Sequence, residues 1–161
     1  MTSLRPFVLT LLLALPAALP AQTSIDLGGV TADPDAPVEI TADSLTVNRD
    51  DGSAVFEGEV RIGQGDLRIA ATRVEVRYDD ATGDIARLDA SGGVTLATAD
   101  EQAEAQRAEY DLVAGTLTLI GEVLLTQGQS ALSAERMVVN LDDGTARMEG
   151  RVTTIFRQDG Q

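Results

Sequence analysis

Three pairs of adjacent aspartates, Asp50-Asp51, Asp79-Asp80 and Asp142-Asp143, are the first places where this sequence could do chemistry. Paired carboxylates can shuttle a proton or bind Ca²⁺ through oxygen. The composition gives them little help. The 161 residues contain no His, Cys, Lys or Trp. Without His and Cys, the usual nucleophile–base pairs and most transition-metal sites are gone. Catalysis would have to rest on carboxylates, hydroxyls, Tyr or Arg. Each Asp pair lies in a short polar stretch between two alternating apolar runs: "RDDGS" at 49–53, "DDATGD" at 79–84 and "DDGT" at 142–145. Asp suits such turns because its side chain hydrogen-bonds the backbone two residues on. A turn role is the expectation, and no catalytic constellation converges. The chain reads as a non-enzyme, without cofactor or metal.

Those turns belong to a repeat. "G-x-V" occurs at Gly58, Gly92, Gly121 and Gly150, and upstream of each lies a segment opening on Ala: "ADSLTV" from Ala42, "ATRVEV" from Ala71, "AQRAEY" from Ala105 and "AERMVV" from Ala134. The Ala-to-Gly interval is 16 residues in units one, three and four, and 21 in unit two, where about five residues are added near the turn. Each unit has the period-2 alternation of two strands around an Asp-Gly or Gly-x turn, which is the hairpin signature. The predicted arms are 38–48, 53–62, 67–78, 85–98, 102–113, 116–126, 131–141 and 146–156. The stretch 99–110 is rich in Ala, Glu and Gln, which favour helix. The register still demands strand from Ala105, with room for one helical turn near 100–104.

In the second arms one parity is apolar: Phe56, Val60 and Ile62, then Leu88, Ala90, Val94 and Leu96, then Leu119, Val123 and Leu125, then Met148 and Val152. The four glycines fall on that same parity. A missing Cβ there lets a strand bend toward its concave side; a β-bulge is the other reading. Either way the bends align into a corner, and a sheet folded along it encloses an apolar interior. The opposite parity carries Glu57, Glu59, Arg61, Asp89, Glu122, Arg147, Glu149 and Arg151. A membrane-spanning barrel needs apolar side chains outside and aromatic girdles; aromatic residues are only 3% here. The first and last arms lack a central Pro or other edge blocker, so two sheet edges are open to strand addition.

The start of the chain has the layout of a secretory signal peptide: Arg5, an apolar run over 7–15, and small residues ending at Ala21. The expected division is signal peptide 1–21, a flexible segment 22–36, one β domain 37–156 and a tail 157–161. Cleavage after Ala21 leaves 11 Arg against 26 acidic residues, a formal charge of −15. Such a chain repels phosphate backbones, so nucleic acid is a poor partner. With no Cys, an exported domain draws no stability from disulfides.

The exported start, "PVEITADSLTVNRDDGSAVFEGEVRIGQGDLRIAATRVEV", the recurring "G-x-V" units and the closing "GRVTTIF" together resemble the LptA/OstA family of periplasmic lipopolysaccharide-transport proteins. The likeness covers about 37–156. It implies an all-β fold, a bent, partly open antiparallel β-jelly roll, here built from four hairpin repeats with edges exposed at both ends. It also implies an apolar groove for the acyl chains of lipid A, and a bridge formed by head-to-tail strand stacking between an inner-membrane LptC-like and an outer-membrane LptD-like partner. Family groove positions fall on Val38, Ile40, Leu96, Tyr110 and Leu112. The parity argument adds Phe56, Val60, Ile62, Leu119 and Val123. Gly58, Gly92, Gly121 and Gly150 mark the corner. Basic residues near the groove mouth are thin, since Lys is absent. The alternative is an exported β-repeat module with a closed core and no lipid cargo.

Overall fold

A computed structural model describes residues 24–26, 33 and 35–155. The expected signal peptide and C-terminal tail lie outside the described residues. The strands are β1 (Ser24–Asp26), β2 (Glu39–Thr41), β3 (Ser44–Val47), β4 (Ala54–Gln64), β5 (Leu67–Tyr78), β6 (Ile85–Ala97), β7 (Glu101–Asp111), β8 (Thr116–Gln127), β9 (Ser130–Asn140), β10 (Thr145–Glu149) and β11 (Thr153–Ile155). All pairings are antiparallel, in the order β1-β10-β9-β8-β7-β6-β5-β4-β2, with β3 also on β4 and β11 also on β9. The sheet is a meander that does not close on itself. β2 and β3 together form the first predicted arm, and β10 and β11 the last. The four expected hairpins are therefore present.

The stretch 99–110 is strand from Glu101, one residue before the predicted arm 102–113 and four before Ala105, and no helical turn forms at 100–104. Pairing with both β6 and β8 overrides the helix propensity of Ala, Glu and Gln. In addition, β1 pairs with β10, Ser24 opposite Arg147 and Asp26 opposite Thr145. One half of the C-terminal edge is thus occupied by the chain's own N-terminal segment.

The corner is a line of register shifts. They fall between Glu57 and Val60 on β4, Ser91 and Val94 on β6, and Ile120 and Val123 on β8. At each, two residues on the glycine-bearing strand face one on its neighbour, the count of a β-bulge. The strand turns through two consecutive positive φ values: +82° and +43° at Gly58-Glu59, and +84° and +49° at Gly121-Glu122. The same pair recurs at Gly92-Gly93 and Gly150-Arg151. This corrects the inward placement of the glycines read from parity. A Cβ at Gly58, Gly92, Gly121 or Gly150 would run into the side chain of Asp43, Thr72, Gln106 or Glu135, and those four side chains are exposed. The glycines face outward. The bend comes from left-handed backbone and a close outward contact, not from a gap on the concave side.

The partner residues explain the "Ala-x-x-apolar" spacing. Ala71 pairs with Val60 and Val74 pairs with Phe56, so two outward residues separate two inward ones. The unit's opening Ala and the glycine of the adjoining strand are two sides of one corner. Hydrogen bonds fasten it. Thr72 Oγ1 donates to the Gly92 carbonyl (2.7 Å), Gln106 Nε2 to Glu122 Oε2 (2.7 Å), and the Arg151 guanidinium to Glu135. These groups are exposed, so each pair contributes on the order of 1 kcal/mol or less.

Candidate functional site

Folding along the corner presses two half-sheets together over one apolar core. Its centre is closed by its own side chains. Val60, Ile62, Leu96, Leu119 and Val123 are all 3% exposed or less. Val38, Ile40, Phe56 and Leu112 are half-buried and pack against this core from its margins. The ten expected groove residues therefore share one interior but divide into a packed centre and an accessible rim. The interior is uncovered at its β3 end. Leu45 lies opposite Phe56 and Val47 opposite Ala54, on the inward row, yet they are 55% and 61% exposed. Sequence reading named neither, although both stand at the inward positions of "ADSLTV".

At the rim farthest from the corner, the two halves are tied by side chains. Tyr110, near the end of β7, donates its hydroxyl to Gln64 Oε1 at the end of β4, at 2.7 Å. Gln64 Nε2 donates onward to the Ala36 carbonyl at 3.4 Å. Both side chains are buried, and burial pushes the Tyr110 phenol above its usual pKa. The bond therefore persists throughout the physiological pH range. A cavity of about 180 Å³ adjoins it, lined by Gln64, Tyr110, Leu112, Val113, Leu141 and Asp142. Gln64 was legible in principle: it continues the inward row of Val60 and Ile62 as its one polar member. On β7 the inward row likewise opens on buried Glu101, which accepts from Gln127 Nε2 at 2.6 Å.

The aspartate pairs are turn elements. Asp51 accepts from the backbone and hydroxyl of Ser53, Asp79 from the backbone of Ala81 and Thr82, and Asp143 from the backbone and hydroxyl of Thr145. These bonds hold the three carboxyls below the ordinary Asp range, as the Ala114 amide does for Asp111. A carboxyl with a depressed folded pKa adds stability above its unfolded pKa and loses it as pH falls through the folded value. Burial raises Asp89, which acts in the opposite sense. With four groups against one, the thermal midpoint should be flat from pH 7 to about 5 and fall below about pH 4, near the unfolded Asp value. Asp79→Asn should shallow that fall; an unchanged profile would remove the turn carboxylates from the account.

The sequence model of the family described as "LptA/(LptD N-terminal domain) LPS transport protein" matches residues 39–145, from the first residue of β2 to the first of β10. The chain belongs to this family. It is a lipopolysaccharide-transport family, and the bent, unclosed β-jelly roll is its fold. An uncharacterized protein of Rhizobium meliloti (strain 1021) is 29% identical over 147 residues, 84% of this chain and 79% of that protein. Among solved structures, LptH is described as the LptA homologous periplasmic component of the conserved lipopolysaccharide transport device from Pseudomonas aeruginosa. It superposes with a TM-score of 0.70 at 17% identity, over 79% of this chain and 99% of that chain. At that identity the likeness establishes the shared fold.

Proposed function

We propose that this protein carries lipopolysaccharide in the periplasm, with lipid A acyl chains held between the two half-sheets, and performs no chemistry on its cargo. The observation that carries the reading is the apolar interior, continuous from its packed centre through half-buried Phe56 to the uncovered Leu45 and Val47 at the β3 end. Acyl chains and aliphatic side chains are interchangeable in their hydration cost, about 0.8 kcal/mol per buried methylene. Membership of a lipopolysaccharide-transport family and the signal-like start support the location and the cargo class. Strand addition at β2/β3 and at β11 would build the head-to-tail bridge toward LptC-like and LptD-like partners, since among the described residues each of these strands pairs with one neighbour.

The tight centre favours a second reading, the closed-core interaction module. The two differ on whether the half-sheets separate, and native mass spectrometry of protein purified from envelopes decides. A retained acylated lipid supports the carrier. Lipid-free protein that also takes up none on incubation with lipopolysaccharide supports the module. The rim bond makes a finer test. Tyr110→Phe strands the buried Gln64 oxygen, so stability should fall by about 1–3 kcal/mol. Uptake of a fluorescent acyl probe should quicken, because one tie between the halves is gone. Unchanged or slower uptake with the fold intact would exclude the rim as the entry point. For assembly, light scattering across concentration should show growth beyond monomer, and a strict monomer would contradict stacking.

A further inference from the structure

A further cavity opens on the outward side of the sheet edge. It measures about 480 Å³ and is lined by Ala36, Pro37, Glu39, Thr41, Arg61, Ile62, Gly63, Gly65 and Arg68. Glu39, Thr41, Arg61 and Arg68 are exposed and sit on the outward face of β2, β4 and β5. Gly63 forms a bare floor between Glu39 on one neighbour and Arg68 on the other. The Arg68 side chain lies over that floor, 3.7 Å from where a Cβ would stand. One of its terminal nitrogens donates to the Gly65 and Leu67 carbonyls, which fixes the guanidinium and leaves its remaining N–H groups free to bind.

The charges are the unusual part. Acids outnumber arginines 26 to 12 in the chain. Of the ten arginines among the described residues, six form ion pairs. Among the four that form none, Arg61 and Arg68 share one cavity. Two guanidiniums that line one cavity and have no carboxylate partner among the described residues raise its positive potential, and an oxyanion there is met by planar, multidentate N–H contacts. Glu39 on the same wall opposes an anion, so the lining residues carry one net positive charge, with Asp33 against Gly65 at the margin.

We propose that this cavity binds a phosphate oxyanion, held by Arg61 and Arg68 over Gly63. The source of the phosphate is either a phosphorylated sugar headgroup or free phosphate. The proposal is independent of the interior reading, because the residues that recognise the anion face outward; lipid-free protein would not weaken it.

The test follows the arginine Nε–H resonances of the purified protein during titration with glucose 1-phosphate, inorganic phosphate and, as an ionic-strength control, potassium chloride. Saturable shifts at Arg61 and Arg68 with a phosphate, and not with chloride, are expected. Affinity should drop at least about 10-fold in Arg61→Gln/Arg68→Gln and rise about 3-fold in Glu39→Gln, the loss and gain of charge-assisted contacts. Sugar phosphate binding about tenfold tighter than inorganic phosphate assigns a headgroup; equal binding assigns free phosphate. Absence of saturable shifts with either anion, shifts matched by chloride, or unchanged binding in the folded double variant overturns the proposal.

Discussion

Gly121→Ala destabilises the fold by about 1–3 kcal/mol and lowers the thermal midpoint by several degrees. Two costs combine. The residue sits at φ +84°, where an L side chain is strained. Its new Cβ would lie 2.7 Å from Gln106 Oε1 and 3.1 Å from Gln106 Cβ, so Gln106 must move and release Glu122. Gly128 supplies the control. It has φ +55°, but a methyl group there would meet no heavy atom within 4 Å. Gly128→Ala should therefore cost only about 1 kcal/mol, the backbone share alone. Equal losses at both sites, by urea denaturation, would mean that the outward contact at the corner is irrelevant. A negligible loss at Gly121 would dispose of the corner as the element that sets the bend.

Leu119→Ala should cost about 2–5 kcal/mol, the range for truncating a buried leucine and leaving a cavity. Leu119 is 0% exposed, on β8 between Ala108 and Met137. Leu45→Ala, on the same inward face but 55% exposed, should stay within about 0.5 kcal/mol. The pair of variants also separates centre from rim in function. If tails lodge between the half-sheets, added lipopolysaccharide should restore part of the stability lost in Leu119→Ala, because a bound chain stabilises the folded state and can refill the void. Leu45→Ala should instead weaken retention of lipid while leaving the melting curve in place. Comparable destabilisation by both variants would mean that the rim is as tightly packed as the centre.

Much of this architecture was readable from spacing. The eight arms follow from alternation and turn chemistry, which act over a few residues and do not depend on distant contacts. The corner was located correctly at its four glycines but explained by the wrong side. Parity counting assumes one residue per side-chain flip, and a bulge breaks that count at the very position of interest. The clue lay on the other strand, where Ala71 and Val74 are both inward at a spacing of three. The helix-prone composition left room for a turn at 100–104 that does not form, because propensity is local, whereas two-sided pairing of β7 is not. The Tyr110–Gln64 tie and the Arg61–Arg68 cavity each join residues on different strands, so their geometry becomes visible only once the sheet is folded.

The carrier reading is tested most directly by placing a photo-crosslinking residue at Ile40 and at Leu112 in growing cells, with outward-facing Glu104 as control. Ile40 lies on the edge strand β2 and Leu112 lines the rim cavity, while Glu104 is exposed on β7. Irradiation should yield lipopolysaccharide adducts at Ile40 and Leu112 and none at Glu104. Protein that is exported and folded yet gives no adduct at either interior position, or gives as much at Glu104, would contradict a cargo carried between the half-sheets.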